Sequence, residues 1–109
     1  MEIVRVVTGT LDENCYVLKI DDKCLLIDPG ADADKIKEAM GEAKLLGILV
    51  THSHFDHVGA LREFLKNNRK LMVYKKSNLQ DLVEKDIGPF KFKCYYTPGH
   101  SSDSVSFYF

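Results

Sequence analysis

The sequence predicts a mixed α/β domain of the α+β type, with a mixed β-sheet covered by helices on at least one face. Three observations carry that expectation. Alternating and β-branched runs come first, split by short turns, as antiparallel hairpins are. Later apolar runs alternate with segments of helical period, an order that builds parallel crossovers. One run, Leu45–Val50 (LLGILV), is apolar on both faces, as a buried central strand is.

Taken in order, Glu2–Thr8 (EIVRVVT) is rich in β-branched residues and reads as a strand, and Thr8-Gly9-Thr10-Leu11-Asp12 as a turn. Asn14–Ile20 and Lys23–Ile27, parted by Asp21-Asp22, make a hairpin that Asp28-Pro29-Gly30 ends. Across Ala31–Ala43 the period becomes helical: Ile36, Ala39, Met40 and Ala43 share one face, and Asp32 or Asp34 can cap the start. After Leu45–Val50 a second helix is expected over His57–Asn68, with Val58, Leu61, Phe64 and Leu65 on its stripe. A strand at Lys70–Tyr74, a short helix at Ser77–Val83, strands at Phe90–Tyr95 and Val105–Phe109, and a loop at Thr97–His100 complete the expectation.

Composition narrows the function classes. The 109 residues are 45% hydrophobic and 28% charged with a net charge of −1, which suits one domain with a core and excludes a disordered chain. The apolar run Leu45–Val50 is far short of the roughly 20 residues a membrane-spanning helix needs. The N-terminus reads directly as a strand, without a targeting segment. Balanced charge leaves no footprint for nucleic acid or an anionic membrane. Three cysteines at 15, 24 and 94 are odd in number and widely spaced, so no disulfide framework is expected and the cytoplasm is the expected location. Cys15, Cys24 and Cys94 sit in strand patterns and read as buried core thiols.

The chemistry lies in the histidines. Thr51-His52-Ser53-His54-Phe55-Asp56-His57 follows a buried strand and precedes a helix. His52 and His54, two apart at a strand end, project to the same side, and the turn into the helix brings Asp56 and His57 back toward the same space. Imidazoles with a carboxylate suit Zn²⁺, Fe or Mn, and the spacing suits two ions: His52 and His54 for the first, Asp56 and His57 for the second. His100, after the Thr97-Pro98-Gly99 loop, supplies the third imidazole of a three-histidine site with an open position, the ligand set of a catalytic zinc. Asp28 ends a core strand and reads equally as a turn former or as a carboxylate that orients a ligand histidine. Asn14 reads as a backbone-bonding residue at a strand start. Lys75-Lys76, Lys91 and Lys93 read as solvated faces.

Asn14-Cys15-Tyr16, Leu26-Ile27-Asp28-Pro29-Gly30, His52-Ser53-His54-Phe55-Asp56-His57-Val58-Gly59 and Thr97-Pro98-Gly99-His100-Ser101 occur in an order and spacing that resembles the metallo-β-lactamase superfamily. Within it the chain looks most like the hydroxyacylglutathione hydrolase branch. The resemblance implies an αββα sandwich with metals at the edge of two facing sheets. His52, His54 and His100 would hold one metal, and Asp56 and His57 would contribute to a second. It also implies hydrolysis of an ester, thioester, lactam or phosphodiester by metal-bound hydroxide, with Asp56 orienting the water. Members of that family run to roughly twice this length, in line with a domain of about 200 residues. The family's bridging aspartate and final histidine would fall beyond Phe109. The 109 residues are therefore expected to form the N-terminal portion of such a domain: half a sandwich of one sheet, its helices and most of one metal site.

Three readings of that shortness stay open: a piece of a longer or split chain, a half-domain that pairs with itself, or a metal-binding module without turnover. An uncovered apolar face leads each to association, with a homo-oligomer or a missing second half as partner. A small-molecule substrate is expected. The rival class is a non-haem iron oxidoreductase, since a persulfide dioxygenase branch shares the His54 and Asp56 pattern.

Overall fold

The computed structural model describes residues 1–10, 12–52, 58–66, 68, 70–97 and 104–109, and of Val58 and Gly59 the backbone alone. Its elements are β1 (Glu2–Thr8), β2 (Glu13–Ile20), β3 (Lys23–Ile27), α1 (Ala33–Met40), β4 (Lys44–Leu49), α2 (Val58–Lys66), β5 (Met72–Tyr74), β6 (Glu84–Ile87), β7 (Phe90–Tyr96) and β8 (Val105–Tyr108). The expected mixed sheet has the order β1-β2-β3-β4-β5. Its first two pairings are antiparallel and its last two parallel, because α1 and α2 each carry the chain back to start the next strand in the same direction. A second, antiparallel sheet, β6-β7-β8, goes beyond the single sheet expected.

Period-two alternation sorts the five-stranded sheet's side chains into two cores. Cys15, Val17, Cys24, Leu26, Ile48 and Val50 face the helices and bury Ile36 and Met40 of α1 and Phe64 of α2. Leu18, Leu25 and Leu49 face the other way, onto Ile87, Phe90 and Phe92 of the second sheet. The central strands are thus buried on both faces, which is why β4 carries no polar alternation.

Expectations about three elements are corrected. The short helix at Ser77–Val83 is a 3₁₀ turn over Lys76–Asn78, and β6 follows where no strand was expected. Of the EKDI residues only Ile87 is buried, so β6 lacks an alternating apolar signal and sits as a charged edge strand. α1 is shorter than Ala31–Ala43, and Asp32 at its N-cap position makes no side-chain capping bond.

The three-stranded sheet does not cover all of the larger one. At the side of β1 and β8 an apolar groove of about 390 Å³ is lined by Met1, Ile3, Leu18, Ile27, Tyr108 and Phe109 among others. Ile3 is 58% and Tyr108 71% exposed. The Phe109 ring, part of that lining, lies 5.2 Å from that of Phe92. Among the described residues no helix is long and apolar enough to cross a membrane.

Candidate metal centre

The carboxyl ends of β3, β4 and β5 point the same way, and β2 begins at that same end because it runs antiparallel to β3. The second sheet joins there: the Val105 amide at the start of β8 donates to the Thr51 carbonyl at 2.7 Å. Thr97 N–H donates to the Ser104 carbonyl at 3.1 Å and closes the neck of the loop between β7 and β8. The turn at 9–10, the loop at 28–32, residues 51–52, and Thr97 with Ser104 therefore gather at one end of the two sheets. That end is where open sheets with parallel strands place their ligands.

Of the expected metal ligands, His52 is described and half-buried. His54, Asp56, His57 and His100 lie outside the described residues. Among the described residues no three His, Cys, Asp or Glu side chains group as a metal site.

What the structure adds is the support beneath His52. Asp28, nearly buried, sits in the left-handed region at φ 55, and its amide donates to the Leu49 carbonyl at 2.9 Å. Its carboxylate takes two bonds from Thr51: the amide to Oδ1 at 2.8 Å and the hydroxyl to Oδ2 at 2.5 Å. Thr51 Oγ1 in turn lies 2.9 Å from His52 Nδ1. Both readings of Asp28 thus hold together, since it turns the chain and orients a histidine through Thr51. The sequence reading gave Thr51 no role. Its position directly before a histidine and after a buried strand was the available signal.

Proton positions follow from acceptor capacity. An ionised carboxylate accepts only, so the one Thr51 hydroxyl proton goes to Asp28. Oγ1 can then only accept from His52, which puts the ring proton on Nδ1 and assigns the lone pair to Nε2. A metal-ligating imidazole needs this arrangement, with one nitrogen donating to a fixed partner and the other basic. His52, the one expected ligand among the described residues, is therefore held in a form that suits a metal.

The cysteines stand apart from this chemistry, as expected. Burial, with a smaller push from the Asp28 charge, drives the Cys15 thiol up to about 12. Burial drives Cys24 up to about 11 against the opposing charge of Lys19, and it raises Cys94 as well. All three are buried, protonated thiols at neutral pH. Lys76 and Lys93 are less bare than expected, since their ammonium groups lie over the rings of Tyr96 and Tyr95 at 4.9 and 5.6 Å.

The family model of the metallo-beta-lactamase superfamily matches residues 8–78, more than half of the chain. The probable metallo-hydrolase YqgX of Bacillus subtilis is 36% identical over 95% of this chain and 64% of its own length. A hydroxyacylglutathione hydrolase of Buchnera aphidicola is 32% identical over 89% of this chain and 43% of its own. The chain thus spans less than two-thirds of either relative.

Among solved structures, the BLEG-1 B3 metallo-beta-lactamase superposes with a TM-score of 0.90 at 27% identity, over 99% of this chain and 67% of that one. ETHE1 from Myxococcus xanthus gives 0.82 at 25%, over 99% and 53%. TTHA1623 in a di-iron-bound form gives 0.76 at 28%, over 96% and 66%. The fold is that of these proteins, and the chain belongs to the metallo-beta-lactamase superfamily.

Proposed function

We propose that the chain is the N-terminal portion of a metal-dependent hydrolase acting on an ester or thioester, with a hydroxyacylglutathione as the substrate to try first. The observation that carries this reading is the chain of bonds from Asp28 through Thr51 to His52 Nδ1, which readies Nε2 as a ligand at the carboxyl ends of the parallel strands. Similarity to hydroxyacylglutathione hydrolases supports the substrate class. His52, His54 and His100 would hold one divalent ion, zinc being the first choice, and Asp56 and His57 would contribute to a second. When bound, the ion supplies Lewis acidity at the scissile carbonyl and lowers the pKa of water for attack. Asp28 holds Thr51, Thr51 holds the His52 ring, and Asp56 would orient the attacking water. The substrate is a small molecule, and the cytoplasm is the proposed location.

Titration of metal-free protein with zinc tests the site. His52→Ala and His54→Ala should abolish uptake, Thr51→Val should weaken it about 10- to 100-fold, and Cys94→Ala should leave it unchanged. Full zinc retention in both histidine variants would overturn the assignment. A second reading, a non-haem iron oxidoreductase, is favoured by the di-iron-bound neighbour. Stoichiometric iron in protein purified without added metal, with no thioester hydrolysis, selects it over the first.

A further inference from the structure

Every polar group of Thr51 is committed. Its amide and hydroxyl donate to Asp28 at the end of β3, and its Oγ1 meets the His52 ring. Its carbonyl is taken by the other sheet, through the Val105 amide at 2.7 Å. Thr51 is also where the chain leaves the larger sheet. Leu49 accepts from the Asp28 amide and Val50 donates to the Tyr74 carbonyl, both at 2.9 Å, so the ladder runs up to the residue before it.

Strand phase dedicates the Val105 amide to this bond. Thr97 N–H donates to the Ser104 carbonyl, which makes those two a hydrogen-bonded pair of the β7–β8 hairpin. The next pair, Tyr96 and Val105, is then non-hydrogen-bonded, and the Val105 amide points away from β7. Val105 is 2% exposed and packs among Leu79, Cys94, Tyr74, Tyr96 and Phe107. Losing the Thr51 carbonyl would leave its buried donor unsatisfied. That carbonyl shares one rigid peptide plane with the His52 amide. Two sheets therefore constrain one histidine: Asp28 and Thr51 Oγ1 hold its ring, and Val105 holds the plane from which its main chain starts.

We infer that the second sheet is a positioning part of the metal centre: the Val105 amide, through the Thr51 carbonyl, aims the His52 main chain, so that seating of β8 and metal affinity strengthen each other. The inference rests on His52 being a metal ligand, as proposed above, and on described residues alone. Such coupling is reciprocal: the factor that the bond adds to zinc affinity is the factor that zinc adds to the bond. Val105 acts through Thr51 and not on the ion.

Cys94 allows the full 109-residue chain to be ligated from a recombinant piece ending at Lys93 and a synthetic peptide of residues 94–109 carrying an ester in place of one amide. An ester at Val105 keeps the side chain and removes the proton that Thr51 accepts. An ester at Phe107 is the control, because that amide also faces away from β7, and Ser106 pairs with β7 as Ser104 does. Zinc titration of metal-free protein, with urea midpoints beside it, should show affinity about tenfold lower for the Val105 ester and within twofold for the Phe107 ester. A Val105 ester that loses urea stability but binds zinc within twofold of the all-amide chain overturns the inference, since a merely structural bond does that. So does a Phe107 ester that weakens zinc equally. One measurement does not depend on the ester folding. In the all-amide chain, zinc should slow exchange at the Val105 amide about tenfold, and not in His52→Ala. Exchange there untouched by saturating zinc overturns the inference as well. An all-amide chain that takes up no zinc overturns the metal-ligand reading itself, a distinct result that appears before any change is made.

Discussion

Because a carboxylate has no proton to give, the direction of every hydrogen bond from Asp28 to His52 is set by a single side chain. The residue types of that chemistry were legible in the sequence: imidazoles and a carboxylate at metal-ligand spacing need no structure to be noticed. The residues that hold them were not. Asp28 acts on a partner 23 positions away, so no local pattern reveals its hold.

The cysteines were read correctly as core, and their environment has a measurable consequence. Cys15 and Cys24 have thiols raised to about 12 and about 11, above the ordinary thiol value near 9 that they recover on unfolding. Between those values the folded chain holds protons that the unfolded chain releases. Their contribution to stability is therefore complete below about pH 9 and declines as pH rises from there toward 12. Urea midpoints measured from pH 7 to 11 should be flat and then fall, and Cys15→Ala should flatten the fall. A midpoint insensitive to pH above 9 in the wild type would contradict the burial argument.

Elements with a strong period were legible and weakly patterned ones were not. β1 to β4 and β7 carry alternation or continuous apolar runs and lie where they were expected, within a residue or two. β6 carries Glu84, Lys85 and Asp86, and only its pairing with β7 makes it a strand. The Gly88-Pro89 pair was the signal for that hairpin. Gly88 sits at φ +54, where side chains are strained, and a Cβ there would come within 2.6 Å of Leu46 Cδ1. Gly88→Ala should therefore cost about 1–2 kcal/mol of stability. Equal urea midpoints for the alanine variant and the wild type would show that the hairpin does not need this turn.

At the scale of the molecule, the fold class follows from the order of patterns, but the second sheet does not, because sheet-on-sheet packing leaves no local signature beyond apolar alternation. The same scale exposes the groove at the side of β1 and β8, where, among the described residues, β8 has a strand on one side only. An apolar face next to a strand edge unpaired among the described residues favours association, and we propose a second copy of the chain, or a missing second half, as its cover. Light scattering over a concentration series should report a dimer or larger species, with Ile3→Lys shifting it toward monomer. A monodisperse monomer at micromolar concentration would show that the face is tolerated in water.

One bond also sets an order of events. The Val105 amide that meets the Thr51 carbonyl belongs to β8, whereas the five-stranded sheet is complete by Tyr74. Chains are made from the N-terminus at about 5–20 residues per second. A nascent chain can thus pair β1 to β5, and set Asp28 against Thr51, seconds before residue 105 exists. The carbonyl directly ahead of His52 waits for this partner until β8 emerges, so the candidate site is finished only after the sheet that carries it.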